Sequence, residues 1–269
     1  KDPKNFEKLT DEKTRAYYGE SCPNPSLRIF PIKEVADIGR KHGVPLIIDN
    51  TAAPVVCRPL EHGAAVVMHS LTKYIGGHGT TIGGIIVDGG NFDWAANPKK
   101  QPLFNEPDPS YNGAIWGRDV PKMTGANVAF AIRARVVLLR DLGAPLSPFN
   151  AFQIIQGLET VAIRMKQHCA NAEKVVKFLE TQKKVKNVIY PTNHQGEIRD
   201  RAKRYMKGGY GSLVGMDLGS LEAGSKFINN LKLLYHVANI GDARSLAIHP
   251  ASTTHGQLNE KQLAEAGVT

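Results

Sequence analysis

The first half of the chain combines one amphipathic stretch with three short apolar runs. Residues 31–42 place apolar side chains at helical spacing, with Pro31 suited to the first turn and Gly43 to the position after the last turn, which predicts a helix. The continuous apolar runs at 44–49, 64–68 and 82–87 are typical of buried strands. A helix followed by strands in this order predicts part of an open α/β sheet.

The pattern changes after the third run. Residues 91–124 lose their periodicity and are rich in Pro, Gly, Asn and aromatic residues, which predicts a long, functional or disordered loop. Helical spacing returns at 126–142 and at 147–182. An α+β pattern follows, with strands predicted at 185–190, 212–217, 234–238 and 245–248 and helices at 198–206 and 221–231. We place a domain boundary inside the long helical stretch, which divides the chain into domains 1–157 and 158–269.

Composition narrows the class of protein. The 269 residues contain 42% hydrophobic residues, which suits a globular core and excludes a collagen, a coiled coil or a disordered chain. No apolar run approaches the roughly 20 residues that a membrane helix needs. The 34 Lys and Arg against 25 Asp and Glu give a net charge of +9, but the basic residues form no stripe with aromatic platforms, so we expect no nucleic-acid partner.

Three scattered cysteines predict a cytoplasmic protein, and the nine histidines lack the spacing of a metal site.

Chemically useful side chains follow two of the predicted strands. Asp49 ends one strand, and Ser70, Thr72 and Lys73 follow the next, just before the glycines at 76–79. Singly, these are ordinary turn or surface residues. Together they offer an amine, an acid for a ring nitrogen, and hydroxyl and amide donors for a phosphate, which is the combination that pyridoxal phosphate requires. The pattern therefore favours a pyridoxal-phosphate site.

The residues around Lys73 also carry a family resemblance. The run His-Ser-Leu-Thr-Lys-Tyr-Ile-Gly-Gly-His at 69–78 resembles the cofactor-lysine signature of the Cys/Met-metabolism pyridoxal-phosphate enzymes. Further segments similar to that family follow in order along the chain: Asn24-Pro25, Asp49-Asn50-Thr51, Arg58-Pro59-Leu60 and the run 249–255. The resemblance implies the type I fold of PLP-dependent transferases, which is aspartate aminotransferase-like, with part of the large α/β domain and a smaller α+β C-terminal domain.

The resemblance also implies roles for individual residues. Lys73 would bind the cofactor covalently and move protons, and Asp49 would pair with the pyridinium nitrogen. Ser70 and Thr72 would hold the phosphate. Asn24 would lie beside the cofactor's 3′-oxygen and the substrate carboxylate. The substrate site would further include Asn239.

Two segments resemble the O-acetylhomoserine sulfhydrylases of that family. These are residues 106–111, within the long irregular stretch, and residues 239–246. The family's lyases typically carry Ser-Leu-Gly where this chain has Asn239-Ile240-Gly241. The resemblance therefore implies γ-replacement, which forms homocysteine or methionine from O-acetylhomoserine and sulfide or a thiol. Two alternatives stay open: γ-elimination of the cystathionine or methionine γ-lyase type, and a catalytically incomplete fragment.

The family's chains are longer than this one. By the resemblance, a preceding part would supply a Gly-containing phosphate loop and an aromatic residue that stacks on the cofactor. A following part would supply an arginine for the substrate carboxylate. We therefore expect that N- and C-terminal parts are missing, and that the protein is a homo-oligomer, a dimer of dimers, whose subunits share active-site residues.

Overall fold

Four short strands form the central sheet. The structure is a computed structural model that describes residues 2–266 and residue 268. The strands are β1 (Tyr17–Glu20), β2 (Leu46–Asp49), β3 (Val66–Ser70) and β4 (Gly84–Asp88). They pair in the order β1-β2-β3-β4, with β1, β2 and β3 parallel and β4 antiparallel to β3. The three predicted strands are confirmed, and β1 is an additional strand that we did not predict.

Strand β2 is covered on both faces, as its unbroken apolar run predicts. Leu46 and Ile48 are buried in the largest hydrophobic cluster of the described residues. Ile47 points the other way and packs against a second cluster, which contains Val66 and several aromatic side chains. Both faces of β2 therefore exclude water, whereas the side chains of β4 are largely exposed, which corrects the burial expected for the run 82–87. The strand ends remain as the open edge where polar groups can face a ligand.

The helices surround and extend this sheet. In chain order they are α1 (Lys4–Leu9), α2 (Ile32–His42), α3 (Pro102–Asn105), α4 (Trp116–Thr124), α5 (Ala129–Arg133), α6 (Arg140–Leu142), α7 (Pro148–Glu180), α8 (Gly196–Tyr205), α9 (Leu221–Asn229) and α10 (Glu260–Ala266). Short 3₁₀ turns occupy Pro59–His62, Pro109–Tyr111 and Pro250–Ser252, and π-helical turns occupy Leu71–Ile75 and Ala134–Leu139. Helix α2 ends as predicted just before Gly43, whose φ of 65° continues the chain in the left-handed region.

The segment 91–124 is folded, so the loop predicted there is wrong. It contains α3, α4 and a 3₁₀ turn. Trp94 lies at its centre, with its ring 4.5 Å from that of Phe104, 4.9 Å from that of Phe92 and 5.3 Å from that of Phe130. Large aromatic rings stabilise such a segment by burial between distant residues, and this needs no regular spacing along the sequence.

The second half of the chain is α+β, as predicted. Strands β5 (Asn187–Ile189) and β6 (Gly215–Asp217) pair antiparallel, and β7 (Tyr235–His236) and β8 (Leu246–Ala247) pair parallel. Helix α7 runs without a break across the predicted domain boundary. Its Met165 packs in the cluster under the central sheet, whereas Val176 packs with β5. The boundary at 157/158 stays a prediction.

In the described part of the chain, no helix combines the length and apolar character that crossing a membrane requires.

Candidate active site

The carboxyl ends of the parallel strands bring two acids to the same edge of the sheet. Glu20 at the end of β1 and Asp49 at the end of β2 are register partners. Both line a cavity of about 200 Å³ whose other lining residues are Asn24, Thr51, Ala52 and Ile240. Ligands bind at this edge in open α/β sheets. The cavity is therefore the candidate active site, and it contains the predicted residues Asn24 and Asp49.

Asp49 is held in position but has no cationic partner. Its Oδ1 accepts a hydrogen bond from the Thr51 amide at 2.8 Å, and its Oδ2 accepts one from the Tyr18 hydroxyl at 3.3 Å. The ion pairs formed by residues 2–266 and 268 do not include it. Burial, and after it the charge of Asp49, raises the pKa of the Glu20 carboxyl. Two carboxyl groups without a cation favour a positively charged ligand group at this end of the cavity.

Lys73 lies in the turn that follows β3. The turn Leu71–Ile75 is π-helical, and Lys73 interrupts its helical backbone with φ −88° and ψ −123°. The half-buried ammonium donates a hydrogen bond from Nζ to Asn239 Oδ1 at 3.1 Å. Asn239 directly precedes Ile240, which lines the cavity. The segment that begins at Asn239 therefore contacts the Lys73 amine at one residue and lines the cavity at the next.

The two predicted phosphate hydroxyls are in different situations. Thr72 Oγ1 accepts a hydrogen bond from the Gly83 amide at 3.1 Å and lies 3.4 Å from the Gly83 carbonyl oxygen, so it fastens the turn to the backbone. The Ser70 backbone amide donates to Thr51 Oγ1 at 2.8 Å. No hydrogen bond to the Ser70 hydroxyl is formed within the described residues, so this side chain is available to an anion.

Two of the three glycine amides at 76–79 are not available to a phosphate, which corrects that part of the expectation from the sequence. The Gly76 amide donates to the carbonyl of Leu71 at 2.8 Å, and the Gly77 amide donates to that of Lys73 at 2.7 Å. The carbonyl of Gly77 in turn accepts from the Ala243 amide at 2.8 Å. These glycines therefore close the Lys73 turn and join it to the segment that follows Asn239.

Comparison with known proteins places this site in a family. The sequence profile of the Cys/Met metabolism PLP-dependent enzymes matches residues 1–269. The chain belongs to this family. It is 49% identical over 275 residues to the O-acetyl-L-homoserine sulfhydrylase of Leptospira meyeri, and 43% identical over 271 residues to the homocysteine synthase of Schizosaccharomyces pombe. Both alignments cover 100% of this chain but only 62% of the relative, so the chain spans about three fifths of these proteins.

A solved member confirms the predicted fold of this Cys/Met-metabolism chain. The crystal structure is of a Campylobacter jejuni protein assigned as an O-acetylhomoserine (thiol)-lyase, and it is described as carrying N′-pyridoxyl-lysine-5′-monophosphate. It superposes with a TM-score of 0.90 at 38% identity, over 100% of this chain and 63% of that chain. The type I PLP-dependent transferase fold is thereby confirmed.

The residues of this family member fit the cofactor that the family uses. An amine, a carboxylate without a cation and a free hydroxyl are supplied by Lys73, Asp49 and Ser70. His69 adds an orphaned polar atom, since its buried Nδ1 has no hydrogen-bond partner in the described part of the chain. Burial lowers the pKa of His69 although the charge of Asp49 opposes this shift, so the ring is neutral near pH 7.

Some residues that shape the site were not predicted from the sequence. Glu20 and Tyr18 belong to β1, which has no long apolar run to reveal it. Thr51 lies inside the motif Asp49-Asn50-Thr51, and this motif was the signal that the sequence offered for it. Arg164 donates to the carbonyls of Tyr74 and Ile75. Sequence spacing gives no sign of that contact, because 90 residues separate Arg164 from Tyr74.

Among residues 2–266 and 268, no group of three or more His, Cys, Asp and Glu side chains is arranged to hold a metal ion.

Proposed function

We propose that the protein catalyses PLP-dependent γ-replacement on O-acetyl-L-homoserine, forming homocysteine and acetate when sulfide is the nucleophile. The observation that supports this proposal is that Asp49 and Ile240 line one cavity, while Lys73, after the neighbouring strand, donates a hydrogen bond to Asn239, the residue before Ile240. Relatives named O-acetyl-L-homoserine sulfhydrylase and homocysteine synthase, which align over the whole chain, support the choice of substrate.

The proposed reaction assigns a role to each polar group at the strand ends. When bound, pyridoxal 5′-phosphate supplies an electron sink for the substrate's α-carbon. The carboxylate of Asp49 keeps a ring nitrogen protonated, because its negative charge stabilises the neighbouring cation. Ser70 and Thr72 would hold the phosphate, and Ser70 has the hydroxyl that is free to do so, since Thr72 Oγ1 already contacts the Gly83 backbone. Asn24 would donate to the oxygen on the ring, and Asn24 and Asn239 would border the substrate carboxylate.

Lys73 moves the protons of the reaction. Its free amine removes the α-proton of the bound substrate, and a β-proton leaves next. The bond between the γ-carbon and the acetyl oxygen then breaks and acetate leaves. Sulfide forms the new carbon–sulfur bond at the γ-carbon, and the protons return to the α- and β-carbons. The exchange of one carbon–oxygen bond for one carbon–sulfur bond involves no net oxidation or reduction.

The assay uses the purified protein, pyridoxal 5′-phosphate and O-acetyl-L-homoserine, with and without sulfide. We expect homocysteine with sulfide and little 2-oxobutyrate without it, and a visible absorption band from cofactor bound to lysine. The Lys73→Ala variant should lose both the product and the band, whereas Lys184→Ala, at an exposed position, should retain them.

Other outcomes separate the alternatives. Release of 2-oxobutyrate in place of homocysteine would assign γ-elimination. A folded protein without the visible band would identify a catalytically incomplete chain. An active Lys73→Ala variant would refute the role of this residue.

We also propose that the protein works in the cytoplasm as a homo-oligomer, a dimer of dimers. Apolar side chains that α7 leaves exposed support the association: Phe149, Phe152, Ile155 and Leu158. Sedimentation of the purified protein tests it, and a monomer at micromolar concentration would contradict it.

A further inference from the structure

A buried carboxylate is linked to the Lys73 amine by two successive hydrogen bonds. Asp242 is 5% exposed and accepts a hydrogen bond at Oδ2 from Asn239 Nδ2 at 3.1 Å. Asn239 Oδ1 in turn accepts from Lys73 Nζ at 3.1 Å. The three side chains therefore form a chain of hydrogen bonds that runs from Asp242 through the Asn239 amide to Lys73.

Arg244 keeps Asp242 ionised. Its Nε donates to Asp242 Oδ1 at 3.0 Å, and its Nη2 donates to Oδ2 at 3.0 Å. The backbone amide of Arg244 adds a bond to Oδ1 at 2.9 Å. These hydrogen bonds to Arg244 lower the pKa of Asp242 to about 2. Asp242 therefore only accepts hydrogen bonds over the whole range of pH in which the protein is studied.

Because Asp242 is an acceptor, it fixes the orientation of the Asn239 amide, which lies between Asp242 and Lys73. The two ends of an Asn side chain differ, because the oxygen accepts hydrogen bonds and the nitrogen donates them. Since Asp242 can only accept, the nitrogen of Asn239 must face it, and the oxygen must then face Lys73. With the amide reversed, two donors would face each other at Lys73 and two acceptors at Asp242.

We propose that Asp242 is a positioning residue for Lys73, which acts by holding the Asn239 amide with its oxygen toward the Lys73 amine. This role rests on the proposed function, in which the Lys73 amine is the group that meets the cofactor and moves protons. Backbone contacts keep the chain of bonds in register, because the Ala243 amide donates to Gly77 in the glycine loop just after the Lys73 turn.

The test is a double-mutant cycle on the cofactor-free protein. Formaldehyde and cyanoborohydride methylate the Lys73 amine, and peptide mass spectrometry gives the rate at this one lysine. Asp242→Asn should raise that rate about ten-fold, because an amide at 242 no longer requires the nitrogen of Asn239 to face it, so the Asn239 oxygen is no longer held against the Lys73 amine. In the Asn239→Ala background, the same change should alter the rate less than about two-fold, since no amide remains to be oriented.

Two further variants keep the test decisive where Asp242→Asn destabilises the fold. In the Asn239→Asp background, Asp242→Asn should raise the thermal midpoint, because it removes the repulsion of two carboxylates and restores one donor–acceptor pair. Arg244→Gln, which leaves the Asp242 carboxylate in place, should change the methylation rate less than about three-fold.

The outcomes that overturn the proposal are distinct from a failure of the proposed function. Equal effects of Asp242→Asn with and without Asn239 would show that Asp242 acts independently of the amide. A lowered thermal midpoint in the Asn239→Asp background would show that Asp242 serves only as the partner of Arg244. If the wild-type protein takes up no pyridoxal 5′-phosphate, the proposed function fails, whereas the methylation cycle still decides the role of Asp242.

Discussion

Arg164 on α7 is the side chain through which the long helix holds the turn that carries Lys73. Its Nη1 donates to the carbonyl of Tyr74 at 2.6 Å, and its Nη2 donates to those of Ile75 at 2.9 Å and Gly157 at 2.7 Å. Partial burial lowers the pKa of Arg164, yet a guanidinium stays charged at any pH that a protein survives. Three backbone carbonyls therefore accept hydrogen bonds from one permanently charged side chain.

Replacing Arg164 by Ala removes these three hydrogen bonds and also one from Nε to the hydroxyl of the exposed Thr160 at 3.1 Å. A hydrogen bond contributes about 1 kcal/mol net to stability, so the three bonds contribute about 3 kcal/mol together. For a chain of this size each kcal/mol moves the thermal midpoint by about 2–4 °C, and the expected loss is therefore about 6–12 °C. The Arg164→Lys variant should lose roughly half as much, because a single ammonium group cannot reach three carbonyls in the guanidinium geometry.

Thermal unfolding followed by circular dichroism measures the effect on the cofactor-free protein. Arg140→Ala is the matched control, because Arg140 is exposed, and its midpoint should stay within about 2 °C of wild type. The same variants should be mixed with pyridoxal 5′-phosphate, and Arg164→Ala should take it up more slowly because the Lys73 turn is less ordered. An Arg164→Ala midpoint as close to wild type as that of the control would refute the reasoning.

Two further predictions concern packing and pH. Gly157→Ala should destabilise the protein by about 1–3 kcal/mol in urea unfolding, although helix propensity alone predicts a gain, because a Cβ there would lie 2.5 Å from the carbonyl oxygens of Ile75 and Gly76. Gln156→Ala, one residue earlier and exposed, should change stability by less than about 0.5 kcal/mol. Burial and a neighbouring carboxylate raise the pKa of Glu20 in the folded state, so its ionisation opposes folding as pH rises above the unfolded value of 4.5. Glu20→Gln should therefore be more stable than wild type at pH 7, and parallel stability curves for the two proteins from pH 4 to 8 would contradict this.

The sequence predicted the strands of the central sheet and the polar residues at their ends better than it predicted the other residues that line the cavity. An unbroken apolar run followed by a polar residue is a local signal, and it located both Asp49 and Lys73. Strand β1 (Tyr17–Glu20) alternates between buried and exposed positions over only four residues, so no such run marks it. Missing that strand meant missing Glu20, the second carboxyl group of the cavity.

The prediction of a loop at residues 91–124 was wrong for a different physical reason. Residues 91–124 show no helical or strand period, and this absence suggested a loop. Their order comes from Trp94, which packs against Phe104 and also against Phe130, 36 residues away along the chain. Contacts of this kind depend on the tertiary structure, so a window of neighbouring residues holds no information about them.

The Lys73 turn depends on distant parts of the chain for its orientation. Arg164 lies 90 residues beyond Tyr74, whose carbonyl it binds, and Asn239 lies 166 residues beyond Lys73. The motif at 69–78 therefore supplies the amine, whereas the second half of the chain decides where that amine points. Because proton transfer requires hydrogen-bond geometry, a chain that kept the motif but lost these two contacts would keep the lysine without the placement that the proposed function requires. Variation at 164 and 239–244 is thus expected to alter the reaction more than variation of the strand residues that bury β2, whose role is to support the edge on which the chemistry takes place.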